Sequence, residues 1–77
     1  MNEEQTYEMK EWVVQYWEKG GWHNSGSAPG VHTFTIAARL ARNRGDFARS
    51  LIHPLRGIEA YRIYNNRTLD SIPEAIL

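Results

Sequence analysis

Apolar residues recur at spacings of three and four between Ala37 and Ile52, and this period predicts the main helix of the chain. Gly45 lies inside the pattern, where glycine costs about 1 kcal/mol relative to alanine, so a break at residues 43–45 is an alternative. His53 precedes Pro54, and the residue before a proline avoids helical backbone angles. We therefore expect the helix to end there.

Two further segments have the composition of strands. Val31–Ile36 alternates threonine with apolar residues, and Gly57–Asn65 is rich in isoleucine and tyrosine. Because the helix lies between them in the chain, the three segments predict a strand–helix–strand unit. Ser71–Glu74 follows and fits a capping box, which predicts a final helical turn.

Residues 9–18 fit two structures. As a helix, they place an apolar face opposite a polar one, and Lys19–Gly20 caps the end. As a strand, they supply the third strand that a small sheet usually needs for independent stability. We therefore predict an α+β fold in which a small three-stranded sheet (β-β-α-β) packs on one main helix. A helix over the N-terminal segment is the alternative.

The segment between the first two predicted strands, Lys19–Gly30, is longer than an ordinary hairpin turn and holds four of the six glycines. It also carries Trp22 and His23. Trp22 has two interpretations: it folds back as a lid over the open sheet face, or it is an exposed anchor for a partner. A small domain needs the aromatic residues that it can bury, so we favour the lid.

The chain has 77 residues, which predicts one small domain over residues 1–77. Cysteine is absent, whereas small secreted domains are usually rich in disulfides, so we expect a cytoplasmic protein. The longest aliphatic or aromatic run has three residues, which predicts that the protein does not cross a membrane.

The net charge is zero, but the charges are unevenly distributed. Residues 1–30 carry a net charge of −3, and residues 31–67 carry +5 because they hold all seven arginines. Arginine forms planar, bidentate contacts and is enriched in protein interfaces. The arginines of the central segment therefore form a candidate binding surface. The alternative is that they pair with the acidic residues of the N-terminal segment.

No combination of residues predicts catalysis or cofactor binding. The three histidines, at positions 23, 32 and 53, are dispersed and lack the spacing of metal ligands. Ser25 and Ser27 lie in a glycine-bearing loop that lacks both the phosphate-binding pattern and the hydrolase elbow. We therefore predict a protein that is not an enzyme and that uses neither a metal nor a cofactor.

Protein binding is the predicted function, because nine aromatic residues and an arginine-rich helix side are typical of an interaction surface. We expect the arginines to meet an acidic patch on a protein partner while Trp22 or Tyr64 fills an apolar pocket. The candidate contact residues are Trp22, His23, Arg39, Arg42, Asn43, Arg49, Tyr64 and Arg67.

Such a protein would act by covering part of its partner. Small accessory and phage-encoded inhibitory proteins, anti-CRISPR proteins among them, share this size and lack of motifs, although the residues match no family. The first alternative is a nucleic-acid-binding module that uses the arginine-rich helix side, with tyrosines of the following strand stacking on bases. The second is a homodimer formed through an exposed sheet edge.

Overall fold

The computed structural model describes residues 8–50 and 60–77, and within them it has an α+β fold. A four-stranded antiparallel sheet packs against one main helix, with strand order β2-β1-β3-β4. The elements in chain order are β1 (Trp12–Glu18), β2 (Gly21–Asn24), α1 (Phe34–Ser50), β3 (Tyr61–Asn65), β4 (Ser71–Pro73) and a 3₁₀ helix (Glu74–Ile76). The predicted α+β class is confirmed, and the N-terminal segment is a strand rather than a helix.

A tight hairpin joins the first two strands. Lys19 and Gly20 have φ angles of 54° and 81°, and positive φ at both central residues is typical of the two-residue turn that matches the twist of a hairpin. The register pairs Trp17 with Trp22. The prediction of a loop over residues 19–30 was therefore wrong in its first half, because the second strand lies within it.

The predicted strand Val31–Ile36 was wrong, because α1 begins at Phe34. Thr33 caps the helix: its hydroxyl oxygen accepts a hydrogen bond from the Ile36 N–H at 3.3 Å, and its carbonyl accepts one from the Ala37 N–H at 2.9 Å. A threonine hydroxyl at this position satisfies an N–H group that has no partner within the helix. The alternation of threonine with apolar residues is therefore the start of a helix.

A carboxylate from before β1 also binds the start of α1. Glu8 accepts hydrogen bonds from the Thr35 N–H at 3.1 Å and from the Thr35 hydroxyl at 2.8 Å. Negative charge is favourable at a helix N-terminus because of the helix dipole. His32, just before the helix, keeps a single antiparallel bridge to Trp12. These contacts connect the start of α1 to the start of β1.

Helix α1 continues through Gly45 without the break considered above. A Cβ atom at Gly45 would lie 2.5–2.8 Å from the carboxyl group of Glu74, so glycine leaves room for that side chain. The predicted helix end at residues 52–54 lies outside the described residues. So do residues 57–59 of the last predicted strand, which is observed as Tyr61–Asn65.

The predicted capping box at Ser71–Glu74 was wrong. Ser71–Pro73 is a short edge strand that pairs with β3, because its extended backbone lies beside Arg62–Tyr64. A helical turn does follow, as a 3₁₀ helix over Glu74–Ile76, but its N-cap residue is Pro73 and no side chain caps it.

The core lies between α1 and one side of the sheet. Val14 and Ile63 are paired neighbours on β1 and β3, and both are almost fully buried against Ala37 and Ala41 of the helix. Because side chains alternate along a strand, the residues next to Val14 and Ile63 point to the other side of the sheet. Among the described residues, no helix is long and apolar enough to cross a membrane.

Candidate binding face of the sheet

The side of the sheet that faces away from α1 is termed the open face. Cross-strand partners share a face, so the register assigns the residues. The open face comprises Val13, Gln15 and Trp17 of β1, Trp22 and Asn24 of β2, Arg62 and Tyr64 of β3, and Ser71 and Pro73 of β4.

An arginine lies among the aromatic rings of the open face. The guanidinium carbon of Arg62 lies 4.1 Å from the centre of the Trp22 ring and 5.2 Å from that of Tyr64. Trp17 packs edge-on against Trp22, with ring centres 5.4 Å apart. Each cation–π contact at an exposed site contributes about 0.5–1 kcal/mol. Residues from three strands thus form one cluster, in which each ring is half-buried.

Amide side chains hold the arginine in place. Arg62 Nε donates a hydrogen bond to Gln15 Oε1 at 2.9 Å, and Gln15 Nε2 donates one to Asn24 Oδ1 at 3.0 Å. This row crosses β3, β1 and β2. Within the described part of the chain, the two terminal nitrogens of Arg62 make no hydrogen bond. The guanidinium group is therefore oriented by Gln15, and no described residue accepts a hydrogen bond from its terminal nitrogens.

The open face carries little charge. Arg62 is its single charged residue among those the register assigns to it. Burial lowers the pKa of the Arg62 guanidinium, because removing the cation from water disfavours the charged form. The face is thus an aromatic surface with amide groups and one partly desolvated cation.

The predicted helix residues lie elsewhere. Arg39, Arg42 and Asn43 are exposed on the outer side of α1, away from the sheet. Their side chains make no hydrogen bond or ion pair with other residues in the described ranges. Because α1 covers the opposite side of the sheet, these residues and the open face are on opposite sides of the molecule. One flat partner surface therefore cannot contact both.

Arg49 is bound within the molecule. Its terminal nitrogens donate hydrogen bonds to both carboxylate oxygens of Glu74 at 3.1 Å, and to Asp46 Oδ1 at 2.6 Å. The hydrogen bonds that Arg49 donates to Glu74, and then the one that it donates to Asp46, raise the pKa of Arg49 above its ordinary value. Arg49 therefore forms ion pairs within the molecule, although with Asp46 and Glu74 rather than with the acidic residues of the N-terminal segment.

Arg67 is also paired. Its Nε donates to Glu11 Oε1 at 2.8 Å, and Asn65 Nδ2 donates to Glu11 Oε2 at 3.0 Å. Asn65 is buried, and its side-chain oxygen Oδ1 accepts hydrogen bonds from the backbone N–H groups of Arg67 and Thr68. This network holds the turn between β3 and β4. Arg67 therefore stabilises a turn.

His23 lies on the helix side of edge strand β2, because it pairs with Tyr16. Its ring centre is 5.5 Å from that of Tyr16, and its Nε2 lies 3.1 Å from the carbonyl oxygen of Glu18. Of the predicted contact residues, the structure therefore brings together Trp22 and Tyr64. The other six lie away from the open face.

Sequence reasoning missed Trp17, Arg62 and Gln15, which complete the cluster. A usable signal was present: Tyr61 and Ile63 are apolar residues in alternate positions of a strand, so Arg62 and Tyr64 must share the other side. Gln15 could be placed only once β1 was known to pair with β3, because a single sequence does not give the register.

A cavity of about 230 Å³ lies between α1 and the C-terminal segment. Ala48, Tyr61 and Ala75 contribute to its lining, together with Arg49 and Glu74. The two charged residues bind each other, so they are not available to orient a ligand. No group of three or more metal-ligating side chains lies close together in residues 8–50 or 60–77.

No family model, no curated protein and no solved structure matches the chain. The function of the candidate site is therefore inferred from its geometry and charge alone.

Proposed function

We propose that the protein acts by binding another protein through the open face of its sheet. The observation that supports this most strongly is the cluster of Trp17, Trp22 and Tyr64 around Arg62. Tryptophan, tyrosine and arginine are the residues that most often dominate the binding energy of protein interfaces. Their mutual contacts hold the rings in place before a partner arrives, which reduces the entropy lost on binding.

Nucleic-acid binding is the second candidate, because aromatic rings on an antiparallel sheet can stack on bases. The distribution of charge disfavours it. Binding a chain of phosphates requires several cations near the stacked bases, and only Arg62 is on the open face within the described residues. Arg39 and Arg42 are on the opposite side of the molecule. A protein partner fits a face with one cation better.

The mechanism that follows is occlusion. A partner surface seated on Trp22 and Tyr64 would be covered and withheld from its other ligands, as expected of a small inhibitory or accessory protein. The exposed arginines of α1 would stay outside such an interface. This differs from the interface expected from the sequence, which combined both groups.

Site-specific photocross-linking tests the proposal. A photoreactive phenylalanine derivative replaces Ser71 on the open face in one variant and Ser50 on α1 in the other, and both serines are exposed. The variants are expressed in cells of the organism that encodes the chain. We expect a cross-link to one discrete protein from position 71 and none from position 50. Cross-links from position 50 alone would contradict the proposal, and a cross-link between two copies would support the homodimer instead.

Fluorescence anisotropy with labelled single-stranded DNA and RNA tests the second candidate. We expect no binding at low ionic strength. Binding that weakens steeply as salt is added, and that the substitution Tyr64→Ser reduces, would favour nucleic acid over protein.

A further inference from the structure

Two arginines of the described residues, Arg49 and Arg67, contact carboxylates, and Arg62 does not. Arg49 binds Glu74 and Asp46, and Arg67 binds Glu11. Arg62 has aromatic rings and the neutral amide of Gln15 around it, and no carboxylate within the described part of the chain. A partly desolvated cation without an anion is less stable than one with an anion, because it has lost water without regaining charge compensation.

The terminal nitrogens of Arg62 fit an anion that has two oxygen acceptors side by side. The guanidinium group is planar and presents parallel N–H groups that match the two oxygens of a carboxylate. Gln15 occupies Nε, so the terminal nitrogens are the donors that remain. The hydrogen bond to Gln15 and the contact with Trp22 hold the group in place, so little further ordering is needed when an acceptor binds.

Charge balance favours a carboxylate over a phosphate. A carboxylate carries one negative charge, which the single cation of the open face neutralises. A phosphate dianion or a nucleic-acid strand would bring excess negative charge to a surface that is otherwise aromatic and amide-bearing. Leaving that excess charge near apolar rings without compensation is unfavourable.

From these observations we infer that the protein partner contributes an aspartate or glutamate side chain, and that its carboxylate binds the terminal nitrogens of Arg62 beside Trp22 and Tyr64. The inference rests on the proposed function and adds the chemistry of the partner's central contact. It predicts an acidic residue surrounded by apolar ones on the partner surface.

The test uses two blocked dipeptides, N-acetyl-Asp-Phe-amide and N-acetyl-Asn-Phe-amide, which differ in charge and hardly in shape. Each is titrated into the protein while NMR follows the Arg62 Nε–H and the indole N–H of Trp22. We expect the aspartate peptide to bind about tenfold more tightly, a difference of about 1.4 kcal/mol, since a hydrogen bond to a charged group is stronger than one to a neutral amide. The substitution Arg62→Gln should remove that preference, and Arg62→Lys should retain part of it. Arg42→Gln, which removes an arginine from the other side of the molecule, should leave it unchanged.

Three results would overturn the inference. Equal binding of the two peptides would mean that the open face recognises apolar groups alone, and the proposed function would stand. No binding of the aspartate peptide at millimolar concentration would exclude carboxylate recognition. Stronger binding of phenyl phosphate than of the aspartate peptide would replace the carboxylate by a phosphate. Failure of the proposed function is measured separately, by the cross-linking at position 71.

Discussion

Arg62 on β3 and Trp22 on β2 are in contact across the strand between them, with the guanidinium carbon 4.1 Å from the ring centre. The side chains therefore reach over Gln15 of β1 and connect the edge strand to the middle of the sheet. This contact makes Trp22 part of the sheet surface, so Trp22 is not a lid that folds back from a loop, and its role as an anchor for a partner stays a prediction.

We expect Trp22→Ala to lower the free energy of unfolding by about 1–2 kcal/mol, through loss of the contacts with Trp17 and Arg62. Urea denaturation measures this change. Ile63→Ala is the comparison, and should cost about 2–5 kcal/mol because Ile63 is fully buried. A double-mutant cycle with Arg62→Ala should give a coupling of about 0.5–1 kcal/mol. Complete unfolding by Trp22→Ala alone would show that Trp22 contributes far more to stability than its contacts with Trp17 and Arg62 account for.

Thr33→Ala should lower the free energy of unfolding by about 1 kcal/mol, because it removes the hydroxyl that caps α1. Thr33→Ser keeps a capping oxygen and should lose much less. Thermal or urea denaturation distinguishes the two variants. If both substitutions had the same effect, the hydroxyl would contribute nothing and the loss would be one of packing.

Gly45→Ala sets two effects against each other. Alanine favours a helix by about 1 kcal/mol over glycine. Its Cβ, however, would displace the Glu74 carboxylate and weaken the ion pair with Arg49. We expect the full stabilisation only when Glu74→Ala is also present, and a smaller gain or a loss in the wild-type background. Denaturation of the two single variants and the double variant gives the coupling, and strict additivity would contradict this structure.

The pKa of the Glu11 carboxyl is lowered from its ordinary value of 4.5 by the hydrogen bond from Arg67 and then by that from Asn65. A carboxyl with a lowered pKa stabilises the folded chain above its unfolded pKa, and this contribution is lost as the pH falls through the folded value. We therefore expect the free energy of unfolding to decrease as the pH falls below 4.5. The decrease should be shallower for Glu11→Gln.

NMR titration of the Glu11 side chain measures this pKa directly. Arg67→Gln removes the larger of the two causes and should raise the value. A Glu11 pKa at or above 4.5 in the wild-type protein would show that the contact with Arg67 does not persist in solution.

The sequence was sufficient for the fold class and for the period of α1. The period follows from a local pattern of apolar residues, and the fold class followed from the third strand that a small sheet usually needs. The sequence was not sufficient for the boundary at Phe34. Thr33–Ile36 alternates like a strand, and the start of the helix is stabilised both by the local cap of Thr33 and by Glu8, which is distant in the chain. A local pattern cannot include a partner that tertiary structure supplies.

The candidate site was predictable only in part, because the sequence indicates residue types but not long-range contacts. Trp22 and Tyr64 were identified by residue type alone, and the sequence did not place them on the same face. That placement follows from the pairing of β1 with both β2 and β3, which is a long-range property. By composition alone, the arginines of α1 were as good a candidate for the binding surface as the aromatic residues. The structure places the two groups on opposite sides of the sheet, because α1 covers the side away from the aromatic cluster.

The most direct measurement is a map of backbone amide NMR shifts when the partner found by cross-linking is added to the labelled protein. We expect large changes at Gln15, Trp22 and Tyr64 on the open face and none at Arg39 and Arg42 on α1. Large changes at the two helix arginines with an unchanged open face would contradict binding through the sheet.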